Sequence, residues 1–148
     1  MAALLNEITI DASVEKIWSV LADVEMLDQY DPTVLKSTAI ESKTSGINAK
    51  RKVLMKDGKN WFDEKVTAFD PYQALTYELT ACSFPINSLE HSYSFEKIGN
   101  QTKVKQVMRY SVKFGLFGKL LDAIMIRKQS DKGIKLFFVG LKKYVESH

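Results

Sequence analysis

Arg51 and Glu64 stand in KRKVLMKDGKNWFDEKV, a stretch that alternates apolar and polar residues on either side of Asp57-Gly58. Strand alternation that turns Val53 and Met55 inward turns Arg51 inward as well, and the inward set Phe62, Val66 and Ala68 carries Glu64 with it. A guanidinium and a carboxylate sharing one inward face can form an ion pair and orient the polar end of a ligand. The same alternation adds Tyr77 beside Leu75 and Leu79, His91 and Tyr93 between Leu89 and Phe95, and Gln106 and Tyr110 among Val104, Met108 and Val112. Ions and polar groups buried without partners are strongly destabilising, so this inventory needs mutual pairing, water or a ligand, and an internal cavity meets that need.

The register follows from the turn. A two-residue loop at Asp57-Gly58, with positive φ at both positions, sets Lys56 opposite Lys59 and, five steps back, Arg51 opposite Glu64. A loop at Gly58-Lys59 would make the pair diagonal, and a β-bulge would turn one strand over.

Other chemistries have little support. His91 and His148 are the only histidines, and no Cys, Asp or Glu stands near His91 at ligand spacing, so no metal is expected. Cys82 is alone, which excludes an intrachain disulfide, and no neighbour in sequence activates its thiol. No nucleophile elbow, phosphate loop or dinucleotide fingerprint occurs, and GLFGKL lacks the spacing and hydroxyl of a phosphate cradle; no cofactor is expected. The formal charge is only +3. Lys103, Lys105, Arg109 and Lys113 recur along one strand face and read as a solvated outer surface, so nucleic acid is not a predicted partner.

The elements that position these residues are legible. Residues 4–11 alternate as a first strand, and Asp11 or Ser13 caps a helix over 13–23 with Val14, Ile17, Trp18 and Leu21 on one stripe. A shorter helical turn around 24–30 ends before Asp31-Pro32. Turn residues then divide 33–114 into six strands at 33–43, 48–56, 59–69, 73–82, 87–98 and 101–114. Thereafter Leu120, Ile124, Ile134, Phe138, Leu141 and Val145 recur at helical spacing. Gly133 and Gly140 each cost this long helix about 1 kcal/mol against alanine, which points to a bend or a close approach. Phe114, Leu116 and Phe117, just before it, form either part of an entrance or a hydrophobic hinge.

A chain of 148 residues, 45% apolar, with 3 prolines, 7 glycines and no repeat or low-complexity segment, reads as a single domain over 1–148. Its N-terminus lacks a basic segment and a long apolar run, and no stretch approaches the ~18 apolar residues of a membrane span, so a cytoplasmic location is expected. A long meander with one apolar face and one long helix must curl around that helix, a packing that leaves a hollow.

Three stretches carry a resemblance. ITIDASVEKIWSVLADVEMLDQYDPTV resembles the opening of the START-like (SRPBCC) superfamily, AKRKVLMKDGKNWFDEKVTAFDPYQALTYEL the middle of its polyketide cyclase/dehydrase and lipid-transport branch, and GLFGKLLDAIMIRKQSDKGIKLFFVGLKKYVE its closing helix. The resemblance implies an α+β helix-grip fold: a seven-stranded curved antiparallel sheet around a long C-terminal helix, with two short helices between strands 1 and 2. It also implies a deep cavity for lipids, sterols, polyketides or other hydrophobic molecules. Relatives often carry a glycine-rich turn before the strand arginine, where this chain has SGINAKR with one glycine.

The ligand-binding set expected on this basis is Arg51, Val53, Met55, Phe62, Glu64, Val66, Tyr77, Leu79, His91, Tyr93, Gln106, Met108, Tyr110, Ile124, Ile134 and Phe138. Candidate catalytic residues are Arg51 as enolate stabiliser with Glu64 or His91 as base. The expected function is binding of a small hydrophobic ligand as carrier or sensor, by a monomer or weak dimer that makes at most transient membrane contact. The alternatives are a polyketide cyclase or dehydratase and a protein-interaction module of the chaperone-activator type.

Overall fold

Residues 2–113, 115–121 and 125–148 are described in the computed structural model. The order is β1 (Ala2–Ile10), α1 (Val14–Leu21), α2 (Leu27–Tyr30), β2 (Val34–Ala39), β3 (Lys50–Met55), β4 (Trp61–Asp70), β5 (Ala74–Cys82), β6 (Ile86–Ile98), β7 (Gln101–Val112), α3 (Gly115–Leu121) and α4 (Arg127–Ser147). The strands form one seven-stranded antiparallel sheet in the order β1-β7-β6-β5-β4-β3-β2, a meander from β2 to β7 with β1 laid on its last strand. The sheet curves about α4, and the arrangement is the helix-grip fold.

Local chemistry sets the elements. Ser13 caps α1 by accepting a hydrogen bond from the Lys16 N–H at 3.3 Å, and the helix buries Ile17, Trp18, Val20 and Leu21. Trp18 meets Phe69 and Phe95 edge to face at 5.1 and 5.7 Å, which plugs one end of the sheet. On α4, Ile134, Phe137, Phe138, Leu141 and Val145 are buried at spacings of three and four. The outer-face reading of Lys103 and Arg109 agrees with their ion pairs to Glu7 and Glu90 at 4.0 and 3.6 Å.

Gly140 and Gly133 have different reasons. A Cβ at Gly140 would overlap the Tyr30 carbonyl oxygen and come within 3.1 Å of Pro32 Cδ, so this glycine lets α4 touch the backbone at the end of α2. At Gly133 a Cβ would meet nothing within 4 Å. Close approach explains the first glycine and not the second. The C-terminal half of α4 is also tied to the sheet's first strand and its exit: Lys142 donates to the Thr9 carbonyl, and Glu146 accepts from the Asp11 N–H, each at 2.8 Å. Nearer its start the ties lengthen, with Arg127 to the Ala3 carbonyl at 3.4 Å and Asn6 to Asp131 at 3.3 Å.

Three expectations need correction. Leu120 belongs to the seven-residue α3 and not to the long helix, which starts at Arg127; Ile124 and Phe114 lie outside the described residues. The Asp57-Gly58 turn keeps the expected register, Arg51 opposite Glu64, but only Gly58 has positive φ, at +73°. Asp57 instead folds its carboxylate back, Oδ1 accepting from the N–H groups of Lys59 and Asn60 at 2.8 Å each. Finally, β4 and β5 carry bulges: the register shifts between Val66 and Ala68, which brings Phe69 against the core where alternation had placed Ala68.

Candidate functional site

Between the concave face of the sheet and α4 lies a cavity of about 470 Å³. Its polar groups come from neighbouring strands in register: Arg51 on β3 faces Glu64 on β4, and Tyr93 on β6 faces Gln106 on β7. Alternation puts them on one face of the sheet, in a wall that is mainly apolar. Aliphatic, aromatic and Met side chains such as Leu79, Leu89, Met108, Ile126, Ile134 and Phe137 supply the rest.

The Arg51–Glu64 pair is almost inaccessible to solvent, at 4% and 1% exposure. Arg51 donates through Nε at 2.8 Å, and its Nη2 lies 2.7 Å from the same Glu64 oxygen, Oε1. Its guanidinium carbon also lies 4.0 Å from the centre of the Tyr77 ring, a cation–π contact. Three buried atoms among these residues have no hydrogen-bond partner: Arg51 Nη1, Glu64 Oε2 and Gln106 Oε1. His91 Nδ1 is 3.6 Å from Glu64 Oε2, longer than a hydrogen bond. Gln106 Nε2 donates to the Tyr93 hydroxyl at 3.0 Å.

Burial works against both charges of the pair, and proximity more than offsets it. For Glu64, burial raises the carboxyl's pKa, but the Arg51 charge, helped by His91, brings it down to about 2. For Arg51, burial disfavours the cation and Glu64 restores it, holding the guanidinium above its ordinary value. Both groups are therefore charged at neutral pH. Burial pushes the Tyr77 phenol up to about 12 and the Tyr93 phenol higher still, so both are neutral.

Of the residues singled out from sequence, Arg51, Met55, Phe62, Glu64, Leu79, His91, Tyr93, Gln106, Met108 and Ile134 line the cavity. Five others do not. Val53, Val66, Tyr77, Tyr110 and Phe138 are buried in the solid core, because strand alternation and helical spacing fix the face of a residue and not its depth. Tyr77 has a structural role as well, its hydroxyl donating to the Leu21 carbonyl at the end of α1 at 2.7 Å.

Several wall residues escaped the sequence reading. Asp31 and Thr33 line the cavity too; the Asp31 Oδ1 accepts from the Thr33 N–H and hydroxyl at 2.9 and 2.8 Å, and burial raises its carboxyl's pKa. Their Asp-Pro-Thr sequence had signalled only a helix end. Cys82 turns into the cavity because the β4–β5 register shifts after Glu64↔Leu79 to Asp63↔Ala81, leaving Thr80 as the extra residue. On α4, Ser130, Gly133 and Phe137 follow Ile126 at steps of four, three and four, so the cavity face of the helix crosses its most polar stretch. Gly133 is central to that face.

Among the described residues no cluster of His, Cys, Asp or Glu could hold a metal ion, and no helix is long and apolar enough to cross a membrane. Leu116, Phe117 and Leu120 on α3 are exposed, at 84%, 69% and 57%.

Comparison with known proteins places this geometry. No curated protein sequence matches the chain. Solved structures do: a protein of Thermus thermophilus is 19% identical, with a TM-score of 0.82 over 99% of this chain and 98% of its own. A START superfamily protein from Mycobacterium smegmatis is 17% identical, with a TM-score of 0.78 over 98% and 97% of the two chains. The Zhui aromatase/cyclase from Streptomyces sp. R1128 is 12% identical, with a TM-score of 0.78 over 98% and 93%. At these identities the likeness is one of fold. The family described as polyketide cyclase/dehydrase and lipid transport matches over residues 1–146, and with a helix-grip sheet closed around a cavity, the chain belongs to that START-like family.

Proposed function

We propose that this protein binds a small, mainly apolar molecule in the cavity, with the ligand's polar end against Arg51 and Glu64, and serves as a carrier or sensor of that molecule. The observation that carries the reading is the cavity itself. Its volume of about 470 Å³ falls within the range of roughly 300–1,000 Å³ of small-molecule sites, and its wall is mainly apolar with a small number of polar groups. Protein cores otherwise pack nearly without voids, so a space of this size under the main helix argues for an occupant.

The test is native mass spectrometry of freshly purified protein, with extraction and identification of any released molecule, together with titration by the neutral dye Nile red. Saturable binding that Met108→Trp abolishes by filling the cavity supports the proposal. Binding unchanged by Met108→Trp overturns it.

A second reading, proton-transfer catalysis, draws on the 3.6 Å approach of His91 to Glu64, which can orient an imidazole whose other nitrogen faces a substrate. The structural likeness to an aromatase/cyclase gives it context. In an enzyme, His91→Ala lowers turnover and leaves substrate affinity nearly unchanged; in a carrier it alters affinity alone.

A further inference from the structure

We propose that the cavity selects an un-ionised hydroxyl at the ligand's polar end, an alcohol, phenol or enol, and rejects carboxylates and phosphates of the same shape. The inference rests on the binding function proposed above and follows from two features of the polar region.

The first is charge. Among the described residues Arg51 is the only Lys or Arg in the wall, and both of its engaged nitrogens point at Glu64 Oε1. A ligand anion placed there would gain from the guanidinium and lose to a carboxylate within hydrogen-bond distance of that guanidinium, in a setting that screens neither. Asp31, also in the wall, adds a second acidic group. Apart from His91, which already faces Glu64 Oε2, the wall thus offers an anion one cation, and a carboxylate already matches it.

The second is hydrogen-bonding capacity. Glu64 Oε2 and Gln106 Oε1 are acceptors without donors, and Arg51 Nη1 is a donor without an acceptor. A hydroxyl is both donor and acceptor. It can donate to Glu64 Oε2 or Gln106 Oε1, or accept from Arg51 Nη1, whereas a carboxylate has no proton to give either acceptor. A buried polar atom left unpaired lowers stability, so a ligand that satisfies one gains selectivity over an isostere that cannot.

The experiment compares three probes of one ring system by fluorescence titration near neutral pH: 2-naphthol, 2-naphthoate and 2-methoxynaphthalene. The expected result is that 2-naphthol binds at least about tenfold more tightly than either of the others. Glu64→Gln, which removes the compensating charge, is expected to reverse the order and make 2-naphthoate the tightest. Should that variant fail to fold, Gln106→Leu serves instead, lowering 2-naphthol affinity several-fold and leaving 2-methoxynaphthalene unchanged. Equal affinity for all three, or preference of the wild type for 2-naphthoate, overturns the selectivity and leaves cavity binding standing. Failure of all three to bind removes cavity binding and this inference with it.

Discussion

Arg51 directs two nitrogens at a single oxygen of Glu64, and the other carboxylate oxygen is left facing His91 at 3.6 Å. The pair is thus half satisfied. Breaking such a buried pair from one side leaves an uncompensated charge and costs about 3–5 kcal/mol, whereas replacing both members with apolar groups of similar size is often neutral. Arg51→Met alone is expected to destabilise by that amount, and Arg51→Met combined with Glu64→Leu by far less than the sum of the single changes. A double-mutant cycle in urea denaturation measures it; additive effects would show that the two side chains are not coupled.

The same pair predicts a pH dependence. The Glu64 carboxyl is depressed in the folded protein from 4.5 to about 2. Its contribution to stability is therefore complete above about pH 4.5 and is lost as pH falls towards 2. In Arg51→Met the main depressing charge is gone and burial raises the carboxyl instead. The stability gap between wild type and variant is expected to narrow on going from about pH 7 to about pH 4. A constant gap across that range would place the titration elsewhere.

Two glycines in one helix should respond oppositely to the same change. Gly133→Ala puts a methyl into open space and recovers up to about 1 kcal/mol of helix propensity, raising the melting temperature. Gly140→Ala drives a Cβ into the Tyr30 carbonyl and lowers it. Because Gly133 faces the cavity, Gly133→Leu is also expected to weaken Nile red binding with the fold intact, as judged by circular dichroism.

At the β3–β4 turn, Gly58 is the residue with positive φ, where a Cβ costs roughly 1–2 kcal/mol. Gly58→Ala is expected to lower stability by about that much, and Gly58→Asn by less. Equal losses in the two variants would argue that the turn does not hold its left-handed residue.

Tyr77→Phe removes the hydroxyl that donates to the Leu21 carbonyl and keeps the ring beneath Arg51. The expected loss is about 1–3 kcal/mol, with Tyr77→Leu costing more because the cation–π contact goes too. Equal losses would assign the whole effect to the hydrogen bond.

The period-2 pattern made the meander legible, and Asp57-Gly58 fixed the one register that brings Arg51 to Glu64. The bulges could not be read, because an extra residue such as Thr80 inverts alternation without any signature in residue type, which is why Cys82 was missed. Depth was equally hidden. Tyr77 and Tyr93 have the same inward parity, yet one is packed beneath Arg51 and the other lines the cavity, a distinction set by where α4 crosses the sheet. Gly133 read as a bend or a close approach and Ser130 carried no signal, yet both face the hollow, because helical spacing does not show where the helix leaves the packed core.

The unequal fastening of α4 has a mechanical consequence. With Gly140 seated on Tyr30 and two 2.8 Å bonds beyond it, the distal half is clamped; the proximal half rests over the hollow on bonds of 3.3 and 3.4 Å. The helix is a cantilever. A change in its pitch about Gly140 would alter the width of the hollow without unseating the clamp.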